Sequence, residues 1–408
     1  MTQNPVVTFF PVGNGDTTLI ELHDSRHTCI LVDVNVKADS DAEHETENYD
    51  IQSELLRRLP RDSRNRPCLD LFVLTHADQD HVSGFSDLFH QGAPEEYPDS
   101  IKGEKPKILV REIWCSSRFR NISSDSNSLC EDAKVFNMEA RRRERLLLDG
   151  DSCSSEEGNL LRVIGDAGVE CKGFPTDKES HVGSVVDTFG GRRHASFRVL
   201  VVGPVARQND ESEEDYYGSK NRTGVILQFS FDCTACSTWS EGNDTRVNRL
   251  LLGDDNEVAT WRIVAGQAEL KSCVDPLSYD ILLAPHHGSW HVFSEDSATE
   301  CPNPQADAEA VKSLSHAEEA GSFIVFSCKS DTDEEDKGKI KGRELSRRVY
   351  RQFVRQDILC TGDSKSNGRL VPISFELTPF GPRKTPTAPV PSTTIASHRS
   401  SGQAYAHG

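Results

Sequence analysis

The chain has 408 residues, 27% of them charged and 36% hydrophobic, with aromatic side chains spread along its length. This balance excludes a fibrous or wholly disordered protein, and the length suits two or three small domains or one large domain with insertions. The 46 Lys and Arg against 65 Asp and Glu leave a net charge of −19. That excludes a general nucleic-acid coat protein but not a nuclease, whose metal ions supply positive charge locally.

The opening stretch, MTQNPVVTFFPVGNG, has neither the basic nor the apolar region of a signal peptide. No run of about 18 apolar residues occurs, so the sequence reads as a cytoplasmic protein without a membrane partner. Twelve cysteines scattered over such a chain read as mainly reduced and structural. Cys233 and Cys236 form the only CxxC pair. Without a second pair they read as two thiols on a hairpin rather than a zinc ribbon.

In chain order, apolar runs predict strands over 6–12, 17–22 and 27–34, with Gly13-Asn14-Gly15-Asp16 as the first turn. Helical spacing follows over 51–59, then a nearly continuous apolar run over 69–75 that suits a strand buried on both faces. Residues 121–159 are rich in Ser, Asp and Glu around a charged helix containing Arg141-Arg142-Arg143-Glu144-Arg145. This segment is expected to be an insertion or lid with its basic run on a solvated face. Further strands are expected over 197–205, 224–231, 249–252, 280–284 and 323–327, giving an α/β (α+β) chain with inserted polar segments. Residues 382–408 are dominated by Pro, Thr, Ser and Ala, and are expected to form a disordered tail.

The segment with most chemistry is Thr75-His76-Ala77-Asp78-Gln79-Asp80-His81, four metal-competent side chains within six residues as a buried strand ends. The bland alternative is a polar loop in which Asp80 caps the next helix. More ligand types recur at later strand ends. Leu252-Gly253-Asp254 delivers a carboxylate, with Gly253 allowing close approach of the backbone. Ala284-Pro285-His286-His287-Gly288-Ser289 delivers two adjacent imidazoles. Gly362-Asp363 is a second Gly-Asp, and Asp254 is preferred because it follows a long apolar run and precedes the double histidine.

These residues resemble the metallo-β-lactamase superfamily, and within it the ComEC-type hydrolase domain of DNA uptake. THADQDH matches the superfamily's His-x-His-x-Asp-His motif with the ComEC-type Asp in second place. Val12-Gly13-Asn14-Gly15-Asp16 matches the opening Val-Gly-Gln-Gly-Asp loop, and Val32-Asp33 matches the Ile-Asp strand end. The Gly-Asp and His-His-Gly-Ser motifs follow in order, and Thr361 to Gly368 resembles the closing strand turn. Two departures stand out. The third-motif histidine has only His181 and His194 as candidates, and after Phe326-Ser327 the family's Asn and His-Pro are replaced by Cys328-Lys329-Ser330.

The resemblance implies a four-layer αββα fold over residues 1–381, and two divalent ions, Zn²⁺ or Mn²⁺, held by His76, Asp78, Asp80, His81, Asp254 and His286, with Asp254 bridging. It further implies hydrolysis of a phosphoester, as a phosphodiesterase or nuclease on DNA or RNA, by a metal-bound hydroxide. Asp80 and His287 are the candidate catalytic residues. From a strand-like backbone His287 cannot share an ion with His286, so it is a candidate to protonate the leaving group or to support a ligand. Asp33 and Asp16 are candidates for orienting ligands through hydrogen bonds. Ser289, Asn221 and Lys329 are further candidates for substrate contact. Basic clusters at Arg57-Arg58, 61–66 and 347–355 could flank a cleft for nucleic acid. The competing readings are a small-molecule phosphoesterase of the phosphorylcholine esterase type, and a weakly catalytic scaffold with protein partners in a larger, defence-related assembly.

Overall fold

The computed structural model describes residues 4–36, 49–98, 105–117, 129–165, 173–205, 224–234, 245–318, 322–332 and 337–386. It is a mixed α/β structure dominated by two large mixed sheets. The nine-stranded sheet runs in the order Gly381–Lys384, Ile373–Thr378, Val6–Phe9, Thr18–Glu21, Cys29–Val32, Cys68–Leu74, Leu109–Ser116, Leu160–Ile164 and Glu179–Ser180. The seven-stranded sheet runs Asp357–Cys360, Phe323–Phe326, Ile281–Leu283, Thr245–Leu252, Leu227–Thr234, Phe197–Val201 and Val185–Val186.

Alternation of side chains explains why both sheets carry continuous apolar runs. Leu71 and Val73 point into a core shared by the two sheets, while Phe72 and Leu74 point to the opposite face. Leu250, Leu252, Ile281 and Leu283 enter the same shared core, with Leu251 and Leu282 on the far side. A strand buried on both faces reads as a nearly continuous apolar run, as 69–75 does apart from Thr75 and from Asp70, whose buried carboxylate pairs with Arg111.

The outer face of the nine-stranded sheet is covered by helices, among them Ile51–Arg58 and Glu131–Leu148. The second helix lies within the segment expected to be a lid, but Ala133, Phe136 and Ala140 are buried in the core, and the Phe136 ring packs 5.2 Å from Phe85. The basic run is only partly solvated, with Arg145 exposed, Arg141 and Arg142 half-buried and Arg143 buried. Arg143 is only 1% exposed and donates to Glu139 at 2.8 Å and to the carbonyls of Val110 and Leu160 at 3.0 Å. Ala308–Leu314 and Lys337–Tyr350 cover the outer face of the other sheet, where Ala310, Leu314 and Tyr350 are buried. The tail boundary also moves, because Gly381–Lys384 pairs antiparallel with Ile373–Thr378. Residues 387–408 lie outside the described residues.

Each sheet changes from antiparallel to parallel pairing near its middle. Cys29–Val32 pairs parallel with Cys68–Leu74, and Thr245–Leu252 pairs parallel with Ile281–Leu283, which in turn pairs parallel with Phe323–Phe326. Parallel neighbours release their following loops at one end, where α/β proteins place their ligands. Among the described residues, no helix is long and apolar enough to cross a membrane.

Candidate metal centre

Five strand ends converge at this edge. Asp33 follows Val32, His76 follows Leu74 and Thr75, Asp254 and Asp255 follow Leu252-Gly253, His286 and His287 follow Ala284-Pro285, and Ser327 follows Phe326. Four of these residues adopt a left-handed backbone: Asp33 (φ 56°), Asp254 (φ 52°), His286 (φ 49°) and His287 (φ 53°). Such conformations cost about 1–3 kcal/mol each outside glycine, and they cluster where a site is over-determined by its surroundings. Gly253 is required for a different reason. A β-carbon there would lie 2.5 Å from Pro285 Cγ and 2.7 Å from Trp261.

Asp255 stands at the centre. Its Oδ2 lies 3.9 Å from His76 Nε2 and 3.9 Å from His286 Nε2, while its Oδ1 lies 3.4 Å from both His81 Nε2 and His287 Nε2. Asp78 Oδ2 is 3.9 Å from His76 Nε2, and Asp80 Oδ2 is 3.2 Å from His287 Nε2. One carboxylate therefore divides two quartets, His76–Asp78–Asp255–His286 and Asp80–His81–Asp255–His287. The metal-competent atoms of the second all lie within 4.8 Å of one another. Donors bound at about 2.1 Å to a tetrahedral ion stand roughly 3.4 Å apart, so the 3.2 Å and 3.4 Å spacings of the second quartet fit coordination, while the 3.9 Å spacings of the first are wider. The buried atoms His76 Nε2, His81 Nε2 and Asp255 Oδ1 have no hydrogen-bond partner. Each is costly to leave unsatisfied, and divalent cations held by the two quartets would satisfy them.

The other faces of the imidazoles are held by carboxylates at hydrogen-bond distance. Asp254 Oδ1 lies 2.6 Å from His76 Nδ1, and Asp33 Oδ2 lies 2.9 Å from His81 Nδ1. The Thr75 hydroxyl joins the two, 2.6 Å from Asp33 Oδ2 and 2.7 Å from Asp254 Oδ1. Nδ1 contacts of this kind fix ring orientation and leave Nε2 for a ligand. His287 is oriented similarly. Its Nδ1 is 3.2 Å from Ser327 Oγ and 3.3 Å from Asp16 Oδ1, and Ser327 Oγ in turn donates to Asp16.

The sequence expectations meet this geometry unevenly. His76, Asp78, Asp80, His81 and His286 are brought together, and Asp33 and Asp16 contact the ring nitrogens of His81 and His287. Asp255, which the sequence did not single out, stands among the four imidazoles, while Asp254 lies against Nδ1 of His76 and forms with His76 and His81 a further group whose metal-competent atoms lie within 4.8 Å of one another. The strand-like backbone expected at the double histidine is absent. Two successive left-handed residues present both rings to Asp255, so His287 stands within the second quartet of metal-competent groups. Glu257, which the sequence did not single out, lies 3.1 Å from His286 Nδ1.

Other candidates lie elsewhere. His181 sits 3.6 Å from Glu179, and His194 stacks on Phe189. Asp363 accepts from Ser330. Ser289 caps the following turn at His291 N, the Lys329 backbone N donates to Asn14, and Asn221 and Cys236 lie outside the described residues. Several arginines of the basic clusters are held in ion pairs. Arg57 and Arg58 pair with Glu54, Arg66 with Asp62, and Arg347 with Asp331.

Charge and burial act against each other in the cluster. Burial would lower the His287 imidazole, but Asp255 and the contacts with Asp16 and Asp80 push it up to about 10. His81 is likewise raised well above its usual range, burial being outweighed by Asp255 and Asp33. Burial raises the Asp255 carboxyl, yet the charges of His287, His81 and His76 hold it well below the carboxylate range. The open side of the cluster is formed by Asp78, Asp80 and His286, whose side chains are 27%, 38% and 27% exposed. No protein-family model and no curated protein matches the chain.

Proposed function

We propose that this protein is a metal-dependent phosphoesterase acting on phosphodiesters, built on the four-layer αββα fold of the metallo-β-lactamase superfamily. The observation that carries the reading is Asp255, whose two oxygens face separate histidine pairs while buried Nε2 atoms on either side lack partners. Each quartet offers two imidazole nitrogens and carboxylate oxygen, a donor set that suits Zn²⁺ or Mn²⁺. When bound, such ions lower the pKa of water towards neutrality and offset the charge that develops on a phosphoryl group.

The protein's own contribution is orientation and exclusion. Asp33 and Asp254 hold His81 and His76 in fixed tautomers, Thr75 ties these carboxylates together, and Asp16 with Ser327 fixes His287. The buried histidine side limits water, and the exposed Asp78–Asp80–His286 edge is where a phosphodiester would enter. The test measures bound metal, then hydrolysis of bis-p-nitrophenyl phosphate and of single- and double-stranded DNA with Zn²⁺ or Mn²⁺. The wild type and a His76→Ala/Asp80→Ala double variant are compared. Cleavage by the wild type alone supports the reading, and preference between DNA and the small diester separates a nuclease from a small-molecule esterase. A chain that binds about two ions without cleaving any diester would overturn the enzymatic reading in favour of a scaffold.

A further inference from the structure

Two thiols sit directly behind the candidate centre. Cys328 follows Ser327 at the end of the strand Phe323–Phe326, and Cys360 ends the neighbouring parallel strand Asp357–Cys360. Their Sγ atoms are 3.4 Å apart, Cys328 is fully buried and Cys360 is 7% exposed. The two segments are tied by the Gly362 backbone N, which donates to the Cys328 carbonyl at 3.0 Å. A disulfide needs the sulfurs at about 2.05 Å, so closure is a movement of roughly 1.4 Å between side chains already facing each other.

We propose that Cys328 and Cys360 form a peroxide-responsive dithiol that closes to an internal disulfide, and that closure disturbs the His287 side of the candidate centre through Ser327. The route is short. Ser327 Oγ contacts both His287 and Asp16, and its carbonyl accepts from Gly15 N at 3.5 Å. Moving Cys328 therefore pulls on the residue that orients His287. In the chemistry, the Cys360 sulfur attacks one oxygen of hydrogen peroxide, an S–O bond forms as the O–O bond breaks, and one water departs to leave Cys360 as a sulfenic acid. The Cys328 thiol then displaces that hydroxyl as a second water. Two thiols and one hydrogen peroxide give one disulfide and two waters, the sulfurs losing the two electrons that the peroxide gains.

Cys360 is the expected first nucleophile, being the more accessible of the two. The hydrogen bond with Cys328 also holds its thiol below the usual range and pushes Cys328 well above. The coupling to metal rests on the function proposed above, whereas the disulfide does not.

The experiment treats the full chain with one equivalent of hydrogen peroxide and maps its peptides by mass spectrometry. Zinc affinity of the reduced and oxidised forms is then compared by competition with a chelating dye. A Cys328–Cys360 cross-linked peptide, with zinc affinity lower by about tenfold, is expected, in line with changes to groups that orient a ligand. Cys328→Ser and Cys360→Ser should each keep their affinity after peroxide. Oxidation of other cysteines without this cross-link overturns the proposal, and a cross-link with unchanged zinc affinity overturns its coupling to His287. Absence of zinc binding in both forms would count against the metal reading and the coupling, while the cross-link would still be judged by its own peptide.

Discussion

Asp254 and Asp255 are adjacent in sequence and serve opposite sides of one histidine. Replacing Asp255 with Asn should abolish stoichiometric binding of two zinc ions, measured by elemental analysis after gel filtration. Asp254→Asn should keep the ions but weaken them by about 10–100-fold, since it removes the support of His76 rather than a central donor. Thr75→Val removes a hydroxyl shared by two buried carboxylates and should cost about 1–3 kcal/mol in urea unfolding. His76, Asp78, Asp80 and His81 were legible because imidazoles and carboxylates crowded at the end of a buried apolar run are costly to desolvate unless a cation satisfies them together. Asp255 was not, because a single left-handed residue decides which of two neighbouring carboxylates turns inward. Hydrophobic periodicity carries no record of that turn. The same holds for His286 and His287, where a strand-like backbone was the natural expectation and two positive φ angles replace it.

At the scale of elements, the helix Glu131–Leu148 shows how composition can mislead. Its charged residues suggested a solvated lid, yet an arginine can be buried when a carboxylate and several carbonyls satisfy its donors. Phe136→Ala should therefore lower stability by about 3–5 kcal/mol, as for a core aromatic and unlike a lid residue. Glu139 gives this helix a pH dependence. Burial raises its carboxyl, but the hydrogen bond from Arg142 and the charges of Arg143 and Arg142 outweigh burial and hold it below the usual range. A depressed carboxyl adds stability above its unfolded pKa of about 4.3. That contribution is lost as the pH falls through the lower folded value. Urea unfolding followed from pH 6 down to pH 3 should show a smaller loss of stability for Glu139→Gln than for the wild type. Several strands were legible from their apolar runs, including 69–75, whereas Leu109–Ser116, Leu160–Ile164, Asp357–Cys360 and Ile373–Thr378 were not singled out and the short edge strand Gly381–Lys384 was hidden by its Pro and charged residues.

For the whole molecule, the candidate centre takes side chains from both sheets, so a bound ion would join them across the shared core. Zinc at about 100 times its Kd should raise stability by about 2.7 kcal/mol. The shift should appear in calorimetry as a single higher Tm, reversed by a chelator and absent in Asp255→Asn. The alternation of strands and helices made a mixed α/β chain legible from the sequence. The order of strands within each sheet was not, because pairing between distant segments leaves no local signature.

The bond between Ser327 and Asp16 joins residues 311 positions apart. Contacts of that separation are entropically expensive until most of the chain is already in place, so they form late in folding. The centre therefore cannot act as a nucleus in the way a local zinc finger does. Zinc added during refolding should leave the early rates unchanged and bind only in the final phase, making metal uptake a clock for the completed chain.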